Sequence, residues 1–525
     1  MSLINLQSLA AWLTPAELEP PAYPFAPTDV AQLHRLTEPG DGASLDDPTW
    51  RDLLLERYAD SLSADVGIFG RQALHRRLRA GAADAECTAR RGRIERLLQA
   101  PERLDGLHRT LRALRRADVE VAEVLFDPNW QAPPRPAWLR HAALLPAGLA
   151  VSLVAVLWTP WAWIAFGVVM YWLMTLQMRY LERVGSWRGV THSLRMLLRA
   201  VSLLDGSGQP LAEDFAGRGV RAGALSRSLS RGVVSEAVPD ASAYGDWFML
   251  ANVKHYFKTL YTVAAQRDFL RECYWLCADL EADLALARHL CGVPSWCWAA
   301  RGSARALELE EGVHPLLDGA SGLSLTLADK GAFVSGQNGV GKSTFLRMLG
   351  LNLVTARAFG FCYARRAVLP ALPVVASMQN EDSLLDGHSL YVAELARARE
   401  LLAAAGAGPA VCLVDEIFRG TNHEELVAAA SAVLDELAAQ SLVVVSSHNL
   451  VLGPLLAHRL APWRIVRVEE GGLRLEPGVL GQTNGVALLA QRGFGAAVQK
   501  KAEKVAAWLA RQRHGEVDPV LLADW

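Results

Sequence analysis

Residues Gly336-Gln337-Asn338-Gly339-Val340-Gly341-Lys342-Ser343 fit G-x-x-x-x-G-K-[ST], the spacing of a loop that wraps phosphates. Glycine at 339 and 341 lets a tight turn aim successive backbone N–H groups at a nucleoside triphosphate, because no Cβ blocks the approach. Lys342 supplies a point charge for the β- and γ-phosphates, and Ser343 a hydroxyl for Mg²⁺. Gly336, Asn338 and Thr344 belong to the same phosphate-binding set. Downstream, Val411-Cys412-Leu413-Val414-Asp415-Glu416 is an apolar run ending in two acids. It reads as a buried parallel strand with both carboxylates at its C-terminal end, where open α/β sheets bind ligands. There Asp415 is placed to hold Mg²⁺ through water, and Glu416 to orient or deprotonate an attacking water. Leu442-Val443-Val444-Val445-Ser446-Ser447 is a second such strand, and His448 follows it directly, in position to sense a γ-phosphate as donor or proton relay.

The elements that must hold these groups are legible beside them. Leu323–Leu327 and Ala332–Val334 read as short strands, and Ser343–Leu353 as the helix whose positive end faces the phosphates. With these motifs in place, the C-terminal half resembles the ATPase domain of the MutS family, relatives of the ABC ATPases. Asp415-Glu416-Ile417-Phe418-Arg419-Gly420-Thr421-Asn422 is similar to the family's "DEIGRGTS", and Asp382 to Leu395 to its "DDLASGRSTFMVEM". Leu475-Glu476-Pro477-Gly478 and Gly485–Ala490 resemble its closing strand and dimer-packing helix. The resemblance covers residues 312–510. It implies ATP as the nucleotide, a homodimer, and Ser389 reaching across to the partner's nucleotide. Gln337, Gly339 and Val340 depart from the family's loop, Phe418 and Asn422 from its acid motif, and Tyr363-Ala364 from its Val-Pro. None of these removes a phosphate or metal ligand.

Upstream, composition narrows the classes. The chain has 525 residues, a formal charge of −2 and 51% hydrophobic residues, which argues for large cores or membrane contact and against disorder or a globally nucleic-acid-like charge. Cysteine spacing matches no familiar zinc pattern and reads as reduced, mostly buried thiols. Residues 1–50 read as an irregular arm. Trp50–Ala122 carries apolar residues at three- and four-residue steps, the mark of helices, and Phe69–Leu78 with Arg90–Leu98 resembles the MutS helical core. Residues 71–116 hold thirteen Arg against five Asp or Glu. Such a face meets nucleic-acid phosphates, lipid headgroups or only solvent.

Residues 141–178 contain no Asp, Glu, Lys or Arg. This suits two short spans turning at Thr159-Pro160, with Trp158, Trp161 and Trp163 as an aromatic belt and Arg on both flanks facing the cytoplasm. The alternative is a buried or dimer-forming hairpin. Long helical patterns return from Arg179 and again to Leu290, as in the family's lever helices.

The expected organisation is an arm (1–50), the first half of a helical core (51–135), a transmembrane hairpin (136–183), a second half with lever helices (184–300) and the ATPase domain (301–525). The fold class is an α/β P-loop NTPase domain of ABC/MutS-like, mostly parallel sheet. An all-α, MutS-core-like lever domain with an inserted hydrophobic hairpin precedes it. The first 50 residues are too few for the family's mismatch-reading and connector domains. The expected activity is ATP hydrolysis with Mg²⁺ in composite dimer sites, coupled to DNA without mismatch specificity. Lipid contact through 141–178 places the protein at the inner (cytoplasmic) membrane with its ATPase domain in the cytoplasm, or in the cytoplasm if the hairpin is buried. The rival readings are an ABC-type ATPase driving a membrane process, which lacks an L-S-G-G-Q signature here, and a nucleotide-binding scaffold.

Overall fold

The computed structural model describes residues 25–38, 40, 44–207, 211–231, 245–378, 390–468, 472–481, 485–491 and 493–513. Two compact units emerge: Met1–Gly40 with Ala59–Gly292, and Asp41–Tyr58 with Val293–Trp525. The helices used below are α1 (Pro27–Thr37), α2 (Asp47–Asp52), α3 (Ile68–Ala80), α4 (Asp84–Leu98), α5 (Leu144–Ala155), α6 (Ala162–Asp205), α7 (Ala251–Ala265), α8 (Arg267–Gly292), α9 (Lys342–Phe359), α10 (Leu390–Ala407) and α11 (His423–Gln440).

The first unit is helical. Phe269, Leu270, Cys273, Tyr274, Cys277, Leu280 and Leu284 recur at three- and four-residue steps and make α8 its buried spine. Burial also pushes the Cys273 thiol up to about 12 and the Cys277 thiol well above its usual range, so both behave as small apolar side chains. On the same helix the buried Glu281 carboxylate accepts from Gly67 N at 2.7 Å and Gly70 N at 2.9 Å. These are orphan donors at the start of α3, where an acid is favoured. Fully buried Asp283 takes Arg77 at 2.8 Å and Arg93 at 2.7 Å, and Arg77 also reaches Asp279 at 2.6 Å. Several arginines of the 71–116 run therefore face inward to α8 instead of forming a uniform basic face.

The apolar segment forms a helical hairpin with unequal arms. Helix α5 has 12 residues and α6 has 44. At 1.5 Å per residue α5 is roughly 18 Å long, short of a bilayer core of about 30 Å. The expected two short spans turning near Pro160 are instead one short helix and one long one, because residues 156–161 turn the chain before α5 can extend. Among the described residues α6 is the one helix long and apolar enough to cross a membrane. Leu157 is 81% exposed and Trp158 and Trp161 are each 77% exposed at the turn. Towards its other end the hairpin enters a core of Leu173, Tyr180, Val184, Val253 and Phe257 shared with α7.

The second unit is an α/β domain. Its main sheet has the order β12 (Leu473–Pro477), β11 (Leu460–Arg467), β5 (Gly331–Gly336), β10 (Leu442–Ser446), β9 (Val411–Asp415), β8 (Val374–Ser377). It is parallel apart from the β11–β12 pair. Strands β5, β9 and β10 are buried along their whole length, as sheets covered on both faces require. A smaller sheet joins β2 (Ala300–Gly302), β7 (Arg366–Pro370), β3 (Leu307–Gly312) and β4 (Leu323–Leu327), and β1 (Cys297–Trp298) pairs with β6 (Phe361–Cys362).

The edge of β8 is covered by chain from far upstream. The irregular arm expected over 1–50 instead contains α1 and α2, each with a proline in its first turn, with Asp46 capping α2 by accepting from Thr49 N. From α2, Thr49 Oγ1 accepts from Ala376 N at 2.9 Å and Asp52 from Met378 N at 2.7 Å. Alternate N–H groups of a strand edge are thereby satisfied, which blocks further pairing there. Arg397 of α10 donates to Asp46 at 2.7 Å and to Ala376 O at 2.5 Å. Tyr58 and Tyr363 share a buried hydroxyl hydrogen bond of 2.7 Å. The residues before 59 thus supply part of the unit that was expected to start at 301.

Candidate active site

Parallel register brings the separate motifs to one sheet end. In adjacent strands Val334 stands opposite Ser446, and Ser446 opposite Asp415. The residues following β5, β10 and β9 therefore emerge side by side, and these are the Gly-rich loop, His448 and Glu416. The Ser446 hydroxyl donates to the Asp415 carboxylate, and Glu416 N donates to Ser446 O at 3.0 Å. Glu416 sits in the left-handed region at φ 54°, a conformation that costs a non-glycine residue free energy and is often held at functional sites.

The loop itself turns through Gly339 at φ 74° and Gly341 at φ 105°, and Gly341 is the N-cap of α9. A Cβ at 336 would come within 2.8 Å of the Val340 side chain, so the departure at 340 is accommodated by the glycine before it. Lys342 folds back over the loop, donating to Gly336 O at 3.1 Å and Gln337 O at 3.4 Å, with His448 Nδ1 at 3.4 Å. The other ring nitrogen of His448 lies 3.4 Å from Glu416 Oε1. Burial lowers the Lys342 pKa, with Asp415 and Glu416 acting in the opposite sense. Burial and then the Lys342 charge lower His448, again opposed by Glu416 and Asp415. A cation, an imidazole and two carboxylates thus converge on a loop whose amides precede a helix N-terminus, an arrangement suited to an anionic ligand. Ser343 and Thr344 lie on the first turn of α9, and Asn338 in the turn before it. Hydroxyl and carboxylate oxygens at Ser343 and Asp415 are the hard donors that suit Mg²⁺.

The departures from the family pattern have local partners. Asn422 caps α11, accepting from Glu425 N at 3.0 Å. Phe418 is buried edge-on against Tyr391, with ring centroids 5.8 Å apart. Tyr363 meets Tyr58. Sequence reasoning did not single out Glu394, which accepts from Arg419 N at 2.9 Å and Gly420 N at 3.2 Å and so ties α10 to the loop after the acid pair. Its only sequence signal was its place in the Asp382–Leu395 stretch. Ser389 and most of that stretch lie outside the described residues.

Residues 332–507 match the family model for MutS domain V. The DNA mismatch repair protein MutS of Thermus aquaticus is 28% identical over 266 residues, covering 49% of this chain and 32% of that protein. The DNA mismatch repair protein MutS of Geobacillus sp. (strain WCH70) is 26% identical over 233 residues, 41% of this chain and 27% of the relative. Endonuclease MutS2 of Thermus thermophilus is 34% identical over 183 residues, 34% of this chain and 23% of the relative. The chain thus spans about a third or less of the length of these relatives. Its C-terminal half is similar to MutS domain V, a P-loop ATPase domain.

Proposed function

We propose that this protein hydrolyses ATP with Mg²⁺ in a pair of sites shared across a homodimer, and uses the resulting closure to act on DNA at a membrane. The observation that carries the reading is the convergence of Lys342, His448 and Glu416 within 3.4 Å contacts at the phosphate loop. The loop amides of Gly336 to Gly341 with Ser343 and Thr344 hold the phosphates, and Lys342 turns from its backbone acceptors to the β/γ-phosphates. Ser343 and Asp415 would hold Mg²⁺, which spreads the phosphate charge. Glu416 orients the attacking water and takes its proton. His448, held neutral beside Lys342, donates to or accepts from the γ-phosphate as its charge changes. Ser389 completes the opposite site, a role that rests on resemblance.

DNA binding rests on the names of the relatives. Mismatch specificity is not part of it, because the region matched by the family model lies in the C-terminal half. The membrane part rests on the exposed apolar hairpin and on α6, which together favour lipid contact through 141–178 and a cytoplasmic ATPase domain at the inner membrane. The test is the ATPase rate of the purified chain in detergent and in liposomes, with and without duplex and branched DNA. Stimulation by DNA supports the reading. Stimulation by lipid alone favours an ABC-type membrane ATPase, and turnover at background favours a nucleotide-binding scaffold. A mixed dimer carrying Ser389→Ala in one subunit and Lys342→Ala in the other tests sharing: shared sites leave one intact site, and about half the wild-type rate, whereas a Ser389 that serves its own subunit leaves neither site intact.

A further inference from the structure

The exposed apolar part of α6 runs directly into a cationic cleft of about 350 Å³. Trp187 and Tyr256 form one wall, edge to face with ring centroids 6.2 Å apart. Arg188, Arg195 and Arg231 with His192 and His255 supply the polar lining, and no carboxylate among the described residues lines it. Arg231 pairs with Asp246 at 2.7 Å outside that lining. Arg188 is exposed and makes no ion pair among the described residues. The local field is positive: burial lowers the His255 pKa, and Arg231, Lys258 and Arg195 lower it further. Residues 179–204 of α6 hold five Arg and one Glu.

Position along α6 decides what such a cleft meets. Leu181 is the last large apolar side chain of the exposed stripe, at 59% exposure. At 1.5 Å per residue, Val184 and Arg188 follow it by roughly 5 and 10 Å. The headgroup layer begins where the hydrocarbon ends and is about 5–8 Å deep on each side. Long arginine side chains reach back into that layer, and tryptophan and tyrosine favour the same depth. A nucleic-acid strand needs a continuous basic track, whereas this is a single open cleft flanked by apolar surface.

We propose that the cleft between α6, Leu229–Arg231 and α7 binds the phosphate of an anionic phospholipid headgroup, with Arg188 on the phosphate and Trp187 and Tyr256 against the glycerol. This rests on the membrane reading above. It adds a lipid preference: the protein engages membranes rich in phosphatidylglycerol or similar anionic lipid more tightly than neutral ones.

The experiment is flotation of the full-length chain with vesicles of phosphatidylcholine alone or mixed with phosphatidylglycerol, comparing wild type with Arg188→Gln. Removing this cation should weaken anionic binding about five-fold, and neutral binding should not change. Equal flotation on both vesicles, or an unchanged preference in the variant, overturns the cleft while leaving the hairpin reading intact. Flotation with neither overturns the hairpin reading, and the cleft is then judged by titrating the detergent-solubilised chain with glycerol phosphate and with a short duplex. Glycerol phosphate binding that the variant loses supports the phosphate site. Duplex binding that the variant loses, or no binding of either, overturns it.

Discussion

Glu281→Gln tests the physical account of the helical unit most directly. The wild-type carboxylate is fully buried, and burial raises its pKa from 4.5 to about 7 in spite of the Gly67 and Gly70 amides. The folded state therefore holds the proton more tightly than the unfolded chain. Stability from this group is complete below pH 4.5 and is lost as pH rises towards about 7. The rise from 4.5 to about 7, at about 1.4 kcal/mol for each tenfold change in proton affinity, amounts to roughly 3–4 kcal/mol lost across that window. Glutamine cannot ionise, so this slope should vanish. Its carbonyl can accept from one glycine amide while its NH₂ faces the other, which costs about 1–3 kcal/mol at any pH. The variant is thus expected to be less stable than wild type near pH 5 and equal to it or better near pH 8. Urea unfolding of the full chain over that range, read by amide exchange in α3 and α8, gives the difference directly. Histidines common to both proteins cancel in the comparison. Parallel curves for the two proteins would refute the claim that Glu281 is buried with a raised pKa.

Four further outcomes follow from the same geometry. Glu416→Gln should lower ATP turnover about 10²–10⁴-fold while leaving nucleotide bound, measured by single-turnover hydrolysis and filter retention; unchanged turnover would remove its role. Because His448 is held below its ordinary value of 6.5, turnover should fall on the acid side of that value, and His448→Phe should abolish that limb of the pH–rate profile. Asp52→Ala strands the Met378 N–H at the sheet edge and should cost about 1–3 kcal/mol, with faster exchange at β8, whereas Asp52→Asn should retain most of the stability. Gly70→Ala places a Cβ 2.5 Å from Val66 and 2.9 Å from Glu281 and should destabilise the helical unit by about 1–3 kcal/mol, read from its urea midpoint.

What was legible in the chain was whatever is contiguous. The loop 336–343, the acids closing β9 and the histidine after β10 each carry their chemistry within a few residues, and buried parallel strands announce themselves as unbroken apolar runs. The order of strands then follows no local signal, yet it is what sets Asp415, Glu416 and His448 beside the loop. The strap at 46–58 was illegible for a different reason: its Thr49 and Asp52 find their donors more than 320 residues away, and nothing near them marks an edge strand in need of cover. Tyr363 looked like a lapse from the family pattern until Tyr58 supplied its partner. The arginine-rich run misled in the opposite direction, since a count of charges does not reveal that Asp279 and Asp283 lie beneath it.

That strap also has a consequence for how the protein is made. Thr49 leaves the ribosome well before Ala376, its partner 327 residues further on. At about 5–20 residues per second this is a delay of roughly 15–65 s. Throughout it Leu53, Leu55 and Tyr58, each 0% exposed in the finished fold, have no strand to settle on. A nascent chain in this state presents a sticky early segment beside an apolar hairpin still to come. Expression should therefore be unusually sensitive to chaperone supply, and a fragment begun at residue 293 should be made without the piece that seals its sheet.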